Sequence, residues 1–154
     1  MTQVNGFTPE QPSEATILLR ETLGDAENAQ SALVNFTREF EQAIAEKSEA
    51  AERLRTAKQA YDDAEAEFTF TVSFGDDEDY AKAKNAETRK IVLDARLSEA
   101  RRSGALKSAW SALNDAMSRK ERAEMAYLMA ETRFRGIRYS ANLLTAQLNA
   151  VVVA

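Results

Sequence analysis

Apolar and small residues recur every seven positions along two long stretches of the chain. In the first, Leu33, Phe40, Lys47, Leu54, Tyr61 and Phe68 hold one position of the repeat; Phe36, Ala43, Ala50, Ala57, Ala64 and Thr71 hold the position three residues on. In the second, Leu106, Leu113, Lys120, Tyr127, Phe134, Ala141 and Leu148 alternate with Ala109, Ala116, Ala123, Ala130, Ile137, Leu144 and Val151. A 3.5-residue apolar period sustained this long predicts two helices wound about each other, each ~65–70 Å long. Set antiparallel so that facing residue numbers sum to 177, they place bulk against alanine: Phe68 on Ala109, Tyr61 on Ala116, Leu54 on Ala123, Tyr127 on Ala50, Phe134 on Ala43. Alternating large and small side chains would let the helices interdigitate without voids. The expected fold is all-α, a long antiparallel coiled-coil hairpin with a shorter helix and an acidic loop at its tip.

Between and before the ladders the pattern changes. Residues 1–24 read as an N-terminal arm and a short helix, with Pro12 at its first position and Gly24 at its end, and Asp25 as the cap of the next helix. Residues 25–154 form the hairpin: a first long helix over 25–72, a tip loop and short helix over 73–104, and a second long helix over 105–150. Phe70, Val72 and Phe74 alternate with Thr69, Thr71 and Ser73, which is a strand period. With no convincing second strand to pair with, an extended connector or a β-branched helix end is favoured over a sheet. Gly75 opens Asp76-Asp77-Glu78-Asp79, a run that suits the start of the next helix, where the dipole favours anions. It lacks the alternating ligand spacing of a calcium loop. That helix should cover residues 78–102, with a thin apolar face of Ala86, Leu93 and Leu97, and end at Gly104. Gly136, inside the second long helix, marks either a close helix approach or a bend.

Composition narrows the chemistry. The 154 residues include no cysteine and no histidine, which removes thiolate and imidazole metal sites and the commonest general base. No phosphate-binding glycine loop or nucleophile elbow occurs, so a non-enzymatic protein without metal or cofactor is expected. The N-terminus has no signal-peptide pattern and no run reaches the length of a membrane span. A cytoplasmic protein away from membranes is expected. Net charge is −5, but residues 1–79 carry 18 acids and 6 bases while residues 80–154 carry 7 acids and 14 bases. An acidic helix beside a basic one is the favoured explanation; a basic surface for phosphates is the alternative.

Lys47 and Lys120 fall on the seams facing Ala130 and Ala57, where they should extend past the alanine to the edge and help to set register. Trp110 sits one residue off the seam and, with Met117, makes a second apolar edge. That edge predicts burial against the middle helix or against another copy of the chain. Lys84, Arg89, Lys90, Arg96, Arg101, Arg102 and Lys107 make the tip the densest basic region and are the candidate contacts to nucleic acid or a partner.

Residues Lys84-Asn85-Ala86-Glu87-Thr88-Arg89-Lys90, lying between alanine-rich helices, and Phe134, Ile137 and Arg138 further on resemble a group of small helical phage and prophage proteins. That group carries a K-N-A-E-x-R-K turn between two heptad helices and an x-R-F-x-x-L/I-R stretch near its C-terminus. The likeness covers roughly residues 50–148; the arm of residues 1–24 and the acidic loop depart from it. It implies an accessory factor of phage replication or recombination, working in the host cytoplasm, and supplies no catalytic residues. The expected function is therefore a non-catalytic interaction or scaffolding protein that forms a homo-oligomer, dimer or higher, and binds a protein partner. The alternatives are a sequence-tolerant nucleic-acid binder using the basic tip, and an inhibitor of a host enzyme through the acidic half.

Overall fold

Four helices account for nearly all of residues 14–153, the part of the chain that the computed structural model describes, with side chains given for residues 16–150. They are α1 (Glu14–Phe74), α2 (Glu78–Lys82), α3 (Ala86–Ser103) and α4 (Lys107–Val153). The expected arm, Pro12 and the Val151 rung lie outside the described side chains. The fold is the all-α helical hairpin, with α1 packed along α4. Contacts divide it into two units, one of residues 1–41 and 129–154, the other of residues 42–128.

The seven-residue repeat is the burial pattern. Along α4 every described seam position, from Leu106 and Ala109 through Leu144 and Leu148, is buried or half-buried. Of the remaining described positions of α4, only Glu124 and Glu131 are not exposed. Along α1 the seam holds from Leu33 to Phe68. It then steps by four residues instead of three: Val72 is 7 % exposed, while Thr71 points outward and donates its hydroxyl to the Glu67 carbonyl, 2.9 Å. Two successive four-residue steps follow the straight-helix period, not the supercoil, and turn the apolar face toward the tip helices.

Upstream, α1 runs through Gly24 where the sequence predicted a break, and Asp25 lies within it instead of capping. The seam continues backward as Leu19 and Ala26 on one position and Thr22 and Ala29 on the other, all half-buried. Packing of that face outweighs the ~1 kcal/mol propensity cost of one helical glycine. A Cβ at Gly24 would meet nothing within 4 Å. Gly24→Ala should therefore stabilise the protein by up to ~1 kcal/mol, read as a higher Tm by circular dichroism.

The facing pairs differ from those expected. In the first unit Phe40 stacks on Phe134, centroids 5.3 Å apart and planes within 10°. In the second, Lys47 Nζ lies 4.1 Å from the centre of the Tyr127 ring, and Tyr61 meets Trp110 at 5.3 Å. The first two pairs sum to 174, not 177, so bulk meets bulk. Offset stacking of two rings is worth ~0.5–1.5 kcal/mol beyond area, an advantage absent from a ring on alanine. Beside Ala50, Ala123 and Ala126 a groove of about 340 Å³ remains.

The ten buried apolar residues among those described all belong to the second unit, with Leu106, Leu97 and Ala100 at the centre of the tip and Ala64, Phe68 and Leu93 packed around them. Ala86, expected on this face, is exposed because it is the first residue of α3; Ala100 takes the place. Two glycines close the turns for lack of space. A Cβ at Gly104 would lie 2.9 Å from the Ala100 Cα, and one at Gly75 would collide with the Thr71 carbonyl. Gly136 has open space around it, so no helix within the protomer requires it.

Candidate interaction surface at the helical tip

The tip is assembled by capping and by two arginines. Phe70 and Phe74 belong to the last turns of α1, not to a strand. Their i,i+4 spacing puts both rings outside, 4.9 Å apart, while Val72 points inward. The Gly75 amide closes the helix on the Thr71 carbonyl at 2.8 Å. Asp77 then caps α2, its carboxylate accepting from the Tyr80 amide at 2.9 Å. The single helix expected over 78–102 is two, because Asn85 adopts an extended conformation and caps α3. Its Oδ1 accepts from the Thr88 amide at 2.8 Å and the Thr88 hydroxyl at 2.7 Å.

Arg96 reaches back from α3 and donates to Asp77 at 2.8 Å and Asp79 at 2.7 Å. The acidic run is thus a clasp for the tip. The Tyr80 amide, and then the Arg96 guanidinium, hold the Asp77 carboxyl below the ordinary 3.8. A depressed carboxyl contributes stability that is complete above that ordinary value and is lost as pH falls through the lower, folded one. The tip should loosen first below pH 3.8, seen as faster exchange of the Tyr80 amide. Asp77→Asn, which keeps a capping oxygen but loses the charge, should remove that pH dependence.

Arg101 is the second clasp. Its Nε donates to the Tyr61 hydroxyl at 2.6 Å and its Nη2 to Glu65 at 3.1 Å. The guanidinium carbon stands 5.1 Å from the Trp110 ring centre. Trp110, 36 % exposed, is only partly covered within its own chain, by Tyr61 and Arg101; Met117 stays open at 47 %. The basic candidates consequently separate into three groups. Arg96 and Arg101 are spent on carboxylates and a phenol. Lys84, Arg89 and Lys90 share one shallow depression with Tyr80, where Arg89 also donates to the Ala83 carbonyl at 3.2 Å. Arg102 and Lys107 are exposed and carry no ion pair among the described residues, but Lys107 lines a different depression.

Of the seam lysines, Lys47 lies over the Tyr127 ring instead of passing an alanine to the edge, and Lys120 extends to Glu124 at 3.2 Å. Among the described pairs, only Glu39–Arg133 at 4.0 Å ties α1 to α4 by charge. Phe74 at 77 % and Phe70 at 65 % are the most exposed phenylalanines among the described residues, and the strand-like alternation disguised them. Asp62, Glu65 and Ala66 line the adjoining hollow with them. No helix among the described residues is long and apolar enough to cross a membrane. Comparison with known proteins gave no matching family model, no matching curated protein and no matching solved structure.

Proposed function

We propose that the protein is a non-catalytic helical interaction protein that self-associates and holds a protein partner, an accessory of phage DNA replication or recombination working in the host cytoplasm. The observation that supports it best is the Phe70–Phe74 pair. Two phenylalanines held in water on a well-packed helix end add nothing to the core, and apolar groups so placed serve contact with another molecule. The polar seam residues Lys47, Lys120 and Tyr61 all have structural partners. The phage setting rests on the K-N-A-E-T-R-K and Phe134–Arg138 likeness alone.

Direct nucleic-acid binding is the weaker choice, because two of the seven tip cations are neutralised by neighbours and only three gather in one place. Electrophoretic shift and light scattering on the same preparation test the two. The expected outcome is no retardation of DNA at 50 mM salt, where phosphate contacts are strongest, and a mass above 17.1 kDa. Retarded DNA with a mass of 17.1 kDa at all concentrations would replace the interaction role with the nucleic-acid one.

A further inference from the structure

The first unit is short of cover. None of its described side chains is fully buried, and even its seam residues Leu33, Phe36, Phe40, Phe134 and Ile137 are only half-buried. The seam with α1 leaves further apolar surface of this unit outside it.

The outer face of α4 in this unit offers such a surface. Met129, Thr132, Gly136, Tyr139 and Leu143 are all exposed and follow one another by steps of three and four. They form a second heptad stripe, on the side of α4 away from the seam that faces α1, and it contains no charge. Met129 is 55 %, Tyr139 72 % and Leu143 51 % exposed. At the centre stands Gly136, whose missing side chain nothing in the protomer fills and whose ~1 kcal/mol helix cost nothing in the protomer offsets.

Resting on the self-associating role proposed above, we infer that this stripe is the face through which two copies of the chain pair, α4 against α4, antiparallel, with Gly136 on the two-fold axis. The sequence of sizes is self-complementary about that point. Met129 meets Leu143 of the second copy, Thr132 meets Tyr139, and Gly136 meets itself, so each large residue finds a partner of the right size at each level. An isologous contact demands this symmetry. Charge does not oppose it. The arginines flanking the stripe are paired within their own protomer, Arg135 with Glu131 at 2.7 Å and Arg133 with Glu39 at 4.0 Å. From residue 129 to 143 the stripe covers about four turns, or ~21 Å. Burial on the order of 500 Å² per copy brings the total to ~1,000 Å², where specific association begins.

The chain has no cysteine, so single cysteines report the contact without background. Under mild copper-phenanthroline oxidation, Gly136→Cys should link into dimers at least ten-fold faster than Met117→Cys or Phe74→Cys, because residue 136 meets its own copy. Met129→Cys mixed with Leu143→Cys should link faster than either variant alone. Gly136→Leu, a better helix former, should keep or raise helicity while increasing the dissociation constant at least ten-fold in sedimentation equilibrium. Faster linking at Phe74 or Met117, or unchanged association of Gly136→Leu, overturns the α4 face and leaves self-association standing. A mass of 17.1 kDa at every concentration overturns both.

Discussion

Leu106→Ala should destabilise the protein by about 2–5 kcal/mol, the largest loss expected from removing one aliphatic side chain here. Leu106 is 1 % exposed, the most buried large residue of the molecule, and it stands where three helices meet. Leu97 and Ala100 of α3 contact it directly, and Ala64, Phe68 and Leu93 pack against the same cluster. The turn that delivers it is constrained. The Gly104 and Leu106 amides both donate to the Ala100 carbonyl, at 3.1 and 3.2 Å, so the chain cannot easily shift to fill a void. A cavity that cannot collapse falls at the costly end of the range. Urea unfolding followed by far-ultraviolet circular dichroism should show a midpoint lower by roughly 1–3 M. Leu18→Ala, on a site 53 % exposed, should leave the stability nearly unchanged; an equal loss there would mean that the tip cluster is not the centre of stability.

The residues that set this core were legible because burial in a helix pair is a repeat, and a repeat can be read from one sequence. Leu106, Leu113 and Ala116 lie where the seven-residue spacing put them, as do Ala43, Ala50 and Tyr61. What the spacing could not carry was the offset between the helices. Sums of 177 and 174 differ by one small step along the axis, ~4.5 Å, and both bring the same seams together. Stacking of Phe40 on Phe134 distinguishes them, and that is a property of two rings in space. Gly24 misled because a local cost of ~1 kcal/mol was weighed without the seam positions Leu19 and Thr22 on its far side.

At the tip, local signals existed and were missed. Asn85 three residues before Thr88 is a helix-start pattern that divides α2 from α3. Phe70 and Phe74 are as much an i,i+4 pair as an alternating one. The roles of Arg96 and Arg101 had no such signal. Their acceptors lie 19 and 40 residues away in the chain, on elements that only the folded tip brings beside α3. A count of basic residues therefore overstated the positive surface, since it included cations already committed to the fold.

Tyr61→Ala should cost about 3–5 kcal/mol, in the range of other large aromatic truncations. Tyr61 is 4 % exposed and serves three neighbours at once. Its ring packs on Trp110 at 5.3 Å, its hydroxyl accepts from Arg101 at 2.6 Å, and the same guanidinium carbon lies 5.7 Å from its ring centre. Removing it opens a cavity and frees Arg101 from one of its two acceptors. Trp110 is the single tryptophan, so the change has its own reporter: emission should shift to the red as water reaches the indole. Tyr61→Phe separates packing from hydrogen bonding. The ring stays, Glu65 still holds Arg101, and the loss should be ~1 kcal/mol with little spectral shift. The phenol adds a pH signature. Burial first, then the hydrogen bond with Glu65, raises the Tyr61 pKa above 10.0, against the lowering effect of Arg101. A group whose folded pKa is raised contributes stability below its unfolded value and loses it as pH rises through the folded one. The wild-type protein should accordingly weaken above pH 10.0 by a component that Tyr61→Phe lacks. If both proteins lose stability in parallel there, the hydroxyl is not coupled to the fold and the Arg101 clasp does not operate through it.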